Sequence, residues 1–579
     1  MRRAFLVLLP LAIVLALVVW RSDGPAPKDG SAPASEFSSA RAMQQLRALL
    51  AEGVPHPIGS AANVRVRTRI EARFRELGYE TVVQRRFACS SAAQCGVVEN
   101  VLAIKPGTER GKLVLLAAHY DSVPASPGAS DDGQGTATAL EVARAVRNER
   151  FRNRIGFLLT DGEEAGLLGA YAFVADPSLS KDAAAVINVE MRGTYGGSNM
   201  FETSSGNRWL IRHAGNSLER PQASSLFYSI YKLLPNDTDA TVFKASNIAV
   251  VNFAALRGVN WYHTPLDDVA HASPRTLQHH GDNALAMLRT LGNADLDARS
   301  ASDATYFDVL TFFLLWWPQE WTLWMAIVSL IALLIAARKT DARAMTFGVL
   351  AAFTALLIAV VGGMAMSQLA SLNKMDFNFV ARPLASVASM WMTGLAAALF
   401  GAAIFNRRDN PRALLYGIAI VWHAIGIALT IVLPGGAYMF IVPAMTIALL
   451  AWTHLEDDVV ATIAATVGAI VFFPLGVMAN EALGAPLLIA IAVLMGAYAT
   501  LVAPLFPRAR YGFTVAALAL VCALIAVAQP AYTKEKPRFI PLAYVDDARA
   551  KTPVWSTWTA TEQMRRVAPF VADSSTPWN

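Results

Sequence analysis

The segment Leu158-Leu-Thr-Asp-Gly-Glu-Glu-Ala-Gly-Leu-Leu-Gly169 sets Glu163 and Glu164 side by side, after an apolar run and before a helical one. Two carboxylates at such a corner can divide labour. One ligates a metal, and its neighbour takes the proton of an attacking water. A glutamate pair opening a helix is equally an ordinary partner for the helix dipole, so its meaning depends on its company. His119-Tyr-Asp121 follows the run 112–118, Asp131-Asp132 comes ten residues later, Glu190 follows the run 183–189, and His263 lies in Trp261-Tyr-His-Thr-Pro-Leu-Asp-Asp268. Imidazole plus carboxylate ligands suit zinc, and an odd, bridging carboxylate suits two zincs. Taken singly, His119 reads as a core histidine, Asp131 as a helix N-cap, Glu190 as a loop acid and His263 as a surface residue. Together, at the ends of successive strands, they favour a metal site.

The elements that must carry these residues follow from apolar spacing. Residues 40–50 and 64–77 have helical spacing, with Gly78 as a stop. The runs 112–118, 154–160, 183–189 and 248–254 suit buried strands, with helices over 136–148 and 165–174 between them. That alternation predicts an α/β fold, a mixed, mostly parallel sheet with helices on both faces, whose ligands gather at the carboxyl ends of its strands.

The chain has 579 residues, of which 54% are hydrophobic and 16% charged, and the apolar excess is concentrated beyond residue 320. The spacing predicts an N-terminal helix over 1–22, a Pro/Ser/Gly-rich linker over 23–39, the soluble domain over 40–300, an all-α membrane domain over 320–530 and a tail over 531–579. The N-terminal run could be a cleavable signal or an anchor. Val18, Val19, Trp20 and Arg21 make a poor cleavage site, which favours the anchor. Eight further spans are expected near 320–337, 346–368, 385–405, 413–433, 435–453, 459–479, 485–506 and 512–529. With Arg2 and Arg3 inside, the loops carrying Arg338, Lys339 and Arg343, then Arg407, Arg408 and Arg412, then Arg508 and Arg510 also fall inside. The soluble domain and the tail are then extracytoplasmic, on the periplasmic side if the membrane is a bacterial inner one. The net charge of +5 is small for this length and its basic residues sit at membrane loops, so nothing points to nucleic acid. In that compartment Cys89 and Cys95, six residues apart, could form a small-loop disulfide or remain free thiols, and the compartment favours the bridge. Inside the spans, His423 and Glu481 are the ionisable residues that invite a functional question.

The order of Pro55-His-Pro-Ile-Gly-Ser60, His119-Tyr-Asp121, Gly128-Ala-Ser-Asp131-Asp132, Asp161-Gly-Glu163-Glu164, Asn188-Val-Glu190 and Tyr262-His263-Thr resembles the zinc aminopeptidase family M28, over roughly residues 40 to 300. The whole layout is similar to the membrane-bound metallopeptidases of the endoplasmic reticulum. Asn236-Asp-Thr-Asp239 matches a family segment near the substrate pocket. The resemblance implies two Zn2+ per chain, with Asp131 bridging, Glu164 and His263 on one ion, and His119 and Glu190 on the other. It also implies Glu163 as general base, Asp121 orienting the His119 ring, and Tyr262 as a donor to the oxyanion. The substrates implied are peptides with a free N-terminus, and the membrane domain makes the lipid bilayer a second partner of the protein. Protein partners of the membrane domain are not specified. Relatives of the same fold include single-zinc glutaminyl cyclases and non-catalytic receptors or scaffolds. Completeness of the ligand set argues against both.

Overall fold

The structure is a computed structural model. It describes residues 2–109, 111–232, 236–299, 301–371, 384–405, 410–482, 488–506, 508–530, 533–535, 543–545, 554–557 and 571–573. Helix α1 (Arg2–Arg21) leads into the soluble domain, which begins with α2 (Ser39–Leu49) and α3 (Ala61–Glu76). Ser38 and Ser60 cap these two helices by accepting hydrogen bonds from Arg41 N and Asn63 N. A hairpin of β1 (Glu80–Cys89) and β2 (Cys95–Lys105) follows, and the Cys89–Cys95 disulfide closes it. Next come β3 (Leu113–His119), α4 (Gly133–Val146), β4 (Arg154–Thr160), α5 (Leu168–Val174), the single turn α6 (Pro177–Ser180), β5 (Ala183–Met191) and β6 (Asn199–Thr203). The domain continues through α7 (Arg208–Ser217), α8 (Ser225–Tyr231), α9 (Asp239–Ala245), β7 (Ala249–Ala255) and α10 (Pro274–Asn293).

These strands form one seven-stranded sheet in the order β1-β2-β4-β3-β5-β7-β6. The central strands β4, β3, β5 and β7 are parallel, and β1, β2 and β6 join antiparallel at the two edges. Both faces are covered, as successive side chains of β3 show. Val114, Leu116 and Ala118 pack with α2, α4 and α10, whereas Leu113, Leu115 and Ala117 pack with α5 and α9. The four buried strands foreseen from apolar runs lie within two residues of their expected bounds. The segment 23–39, read as a linker from its composition, lies on the domain. Phe37 is fully buried, Lys28 N and Ser39 N donate to Gln278 Oε1, and Arg41 pairs with Glu141.

Strands β8 (Ala304–Val309) and β9 (Phe313–Pro318) form a hairpin that delivers the chain to α11 (Trp321–Ala337). Beyond it lie α12 (Ala342–Ser371), α13 (Leu384–Phe405), α14 (Pro411–Val432), α15 (Tyr438–Leu450), α16 (Asp457–Ala482), α17 (Leu488–Ala499) and α18 (Ala509–Ala528). A helix stands in every window expected to span. Five of them, α12, α13, α14, α16 and α18, are long and apolar enough to cross a membrane. Helices α11, α15 and α17 have 17, 13 and 12 residues. At about 1.5 Å per residue all three are shorter than a hydrocarbon core about 30 Å thick, α15 and α17 by the most. His423 does no visible chemistry. Its ring spans Ser329 Oγ at 2.9 Å and the Ala419 carbonyl at 2.7 Å, tying α14 to α11. Short strands β10 (Ala543–Val545), β11 (Val554–Thr557) and β12 (Val571–Asp573) form a small sheet in the tail, while Trp558 and Trp578 lie outside the described residues.

Candidate metal centre

The centre is assembled at the carboxyl ends of the parallel strands. His119 closes β3, Glu190 is the penultimate residue of β5, and Glu163 and Glu164 sit in the turn after β4. Gly162 makes that turn possible, at φ 72, where a Cβ would come within 2.8 Å of Ile58. Helix α5 starts only at Leu168, so the glutamates do not lie in its first turn and the dipole explanation lapses. The turn is held from beneath instead. Asp121 Oδ1 accepts from Glu163 N at 3.0 Å and Oδ2 from Glu164 N at 3.2 Å. Asp161 accepts from Asn63 Nδ2 at 2.9 Å and from Glu99 N at 3.0 Å.

Asp131 and Asp132 divide the two roles that sequence left open. Asp132 is the N-cap of α4, accepting from Gly135 N at 3.0 Å. Asp131 faces the centre. Its Oδ1 lies 3.3 Å from His119 Nε2, and its Oδ2 lies 3.0 Å from His263 Nε2. Glu190 Oε1 is 3.5 Å from His119 Nε2, and Glu164 Oε1 is 3.1 Å from His263 Nε2. Two groups result, His119–Asp131–Glu190 and Asp131–Glu164–His263, each with its ligand atoms within 4.8 Å of one another. They share Asp131, one oxygen to each side. Glu164 Oε1 is buried, and its approach to His263 Nε2 is off the line of a hydrogen bond, as expected of an atom kept for a cation. Five nitrogen and oxygen ligands of this kind fit a zinc pair.

Orientation comes from the surrounding chain. His119 Nδ1 is 3.1 Å from the Asp121 carbonyl and 3.5 Å from its carboxylate, so Asp121 steadies both the histidine ring and the glutamate turn. His263 has φ 57, in the left-handed region, a conformation that costs a non-glycine residue about 1 kcal/mol or more. The Tyr262 ring stacks on it with centroids 3.7 Å apart. Sequence reading gave Asp267 no role. Its carboxylate accepts from Ser130 N at 2.7 Å and Asp131 N at 3.1 Å, clamping the Asp131 loop to the His263 loop. The signal that could have found it was its place four residues after a candidate ligand histidine.

Crowding of buried acids shapes the electrostatics. Burial, then the Asp131 charge, pushes Glu164 up to about 8. Burial pushes Glu163 well above the usual carboxylate range against the pull of His119. Asp131 is buried too, yet its hydrogen bonds to His119 and His263 hold it below that range. Burial disfavours charge on His263, but Asp131 and Glu164 overcome it and raise it to about 10. These shifts keep protons on the crowded acids and histidines, and a bound cation would take their place.

Residues 100–288 match peptidase family M28. The chain is similar to the vacuolar membrane protease of Candida albicans, at 31% identity over 265 residues, covering 45% of this chain and 31% of the relative. It is similar to the human endoplasmic reticulum metallopeptidase 1, at 30% identity, covering 38% of this chain and 25% of the relative. The vacuolar membrane protease of Schizosaccharomyces pombe is 30% identical, with 56% and 39% covered. The chain thus spans about a third of the length of the curated relatives it matches. Among solved structures, a zinc aminopeptidase of Bacillus subtilis is 18% identical with TM-score 0.36, covering 46% of this chain and 98% of that one. A Fimbriiglobus ruber glutaminyl cyclase is 16% identical with TM-score 0.37, covering 46% and 99%. These two likenesses do not separate peptidase from cyclase. The M28 match encloses His119, Asp121, Asp131, Glu163, Glu164, Glu190 and His263.

Proposed function

We propose that this chain is a membrane-bound zinc aminopeptidase that removes N-terminal residues from peptides. The observation that carries the reading is the division of Asp131, with Oδ1 beside His119 and Oδ2 beside His263. Asp131 would bridge two zinc ions, with His119 and Glu190 holding one and Glu164 and His263 the other. Bound zinc would supply a water of lowered pKa and Lewis-acid polarisation of the scissile carbonyl. Glu163, buried and with its carboxyl pushed up, accepts the proton of the attacking water and returns it to the leaving amine. Tyr262, its ring stacked on His263, donates a hydrogen bond to the oxyanion. The acidic walls retain the free α-amino group. In this reading the chain crosses the bilayer at α1 and at eight later segments, α15 and α17 doing so together with the turns that flank them at 434–436, 451–453 and 500–505, which puts the M28 domain and the tail on the extracytoplasmic side, where the Cys89–Cys95 bridge is stable.

The test is the Glu163→Gln variant of the full-length protein, assayed alongside its zinc content. Turnover should fall by about two to four orders of magnitude while two zincs per chain remain. Near-normal turnover removes the base assignment. A single zinc in active wild-type protein favours cyclase chemistry instead.

A further inference from the structure

A cavity of about 590 Å³ adjoins the metal centre and includes Glu163, Glu164, Glu190 and Tyr262. Polar residues such as Gln94, Arg192, Asn236 and Asp237 line part of the rest, and two apolar walls come from places far apart in sequence. On the domain side stand Leu226, Phe227 and Ile230 of α8. Facing them are Leu475 and Ala479 of α16 and Ala490 and Leu494 of α17, all from the membrane bundle. The bundle is fixed in this position. Ser225 Oγ donates to the Gly435 carbonyl at 2.7 Å, Ser224 Oγ and the Tyr438 hydroxyl are 2.8 Å apart, and the Phe307 and Tyr438 rings stack at 4.7 Å.

We propose that α16 and α17 complete the substrate pocket, making Leu475, Ala479, Ala490 and Leu494 specificity-determining residues for peptides whose first side chain is bulky and apolar. The inference rests on the aminopeptidase reading for the identity of the substrate. The cavity runs from the site carboxylates to this wall, so the first side chain of a peptide whose amino end lies among them has access to it. The four aliphatic side chains offer no partner to a charge or an amide, so a polar first side chain seated against them would be desolvated without compensation, while Gln94, Arg192, Asn236 and Asp237 elsewhere on the lining are left for the rest of the peptide. The two alanines leave room between the two leucines, so volume as well as polarity is selected. The bundle is then part of the enzyme's recognition surface in addition to holding it in the membrane.

The experiment uses the full-length Glu163→Gln protein in lipid nanodiscs and two free-amine pentapeptides carrying photo-leucine at the first or the fifth position. The first-position label should cross-link to residues 475–494, and the fifth-position label should do so at a small fraction of that yield. First-position labelling confined to the soluble domain, or equal yields from both labels, overturns the proposal. Turnover in the otherwise wild-type chain gives a second readout. Ala479→Phe should lower the kcat/KM ratio of leucyl over alanyl substrates about tenfold. Leu494→Ala should shift preference toward phenylalanyl substrates, which guards against misfolding of the larger substitution. Ratios unchanged in both variants overturn the wall while leaving the peptidase reading intact. Absence of turnover on every free-amine peptide sinks the peptidase reading, and the cross-link still reports on the wall.

Discussion

The soluble domain and the membrane bundle both bury histidine, and the two surroundings differ in kind. His119 lies among Asp121, Asp131 and Glu190, acids placed there by the β3–α4 connection and the end of β5. His423 meets one serine hydroxyl and one backbone carbonyl, and both ring nitrogens are occupied. The first is surrounded by more charge than folding requires, and only ligand chemistry gives that a reason. The second has the two partners that a buried neutral imidazole needs. Burial of a polar residue in this protein therefore does not by itself mark function. An excess of unneutralised partners does.

The comparison can be broken most severely at Asp131. Asp131→Ala removes the one side chain shared by both metal groups, so zinc content should fall from two to below one and turnover should vanish, read by elemental analysis and peptide hydrolysis. Retention of two zincs would dissolve the distinction between the regions. Next in size is the junction. At Gly435 a Cβ would lie 2.2 Å from the Ser225 carbonyl oxygen, so Gly435→Val should destabilise the docked state by about 3 kcal/mol, seen as a lower melting temperature in detergent.

A third test concerns His279 in α10, a buried histidine of the soluble domain outside the metal centre. Burial lowers it to about 4, and its Nδ1 accepts from Ser198 N at 2.9 Å, which leaves no place for a second proton. The folded pKa lies below that of an unfolded histidine, about 6.5, so the unfolded chain gains protons first as the pH falls. Stability should be intact above about 6.5 and decline toward pH 4, with a loss of about 2 kcal/mol by pH 5. His279→Gln should flatten that part of the melting profile. The smallest effect belongs to His423→Gln, which should cost about 1 kcal/mol in stability and leave zinc content and turnover unaltered. A loss of zinc there would show that the two histidines do not differ as described.

Much of the centre was legible in the sequence because buried parallel strands announce themselves as apolar runs, and their carboxyl ends are where ligands collect. His119, Glu163, Glu164 and Glu190 each follow such a run, and all four meet in space. The β1–β2 hairpin went unread because β1 is largely exposed and carries Arg85 and Arg86, so its apolar signal is faint. The division of labour between Asp131 and Asp132 was illegible for a different reason. Either aspartate suits an N-cap, and only the backbone path decides which one turns to Gly135 N. Asp121 was expected to hold a histidine and was found also to hold the glutamate turn, through amide hydrogens that composition does not reveal. Least legible was the wall of the pocket. Leu475 and Leu494 are more than three hundred residues from Glu163 and resemble every other leucine in an apolar helix.

The central claim is that the carboxylate-rich centre acts on the free amino end of a peptide. Zinc-loaded full-length protein should be given one peptide in two forms, with a free and with an acetylated N-terminus, and the products followed by mass spectrometry. Sequential loss of single residues from the free form, with the acetylated form cleaved at a small fraction of that rate, is the predicted result. Cleavage of both forms at equal rates, or internal cuts in either, would contradict it.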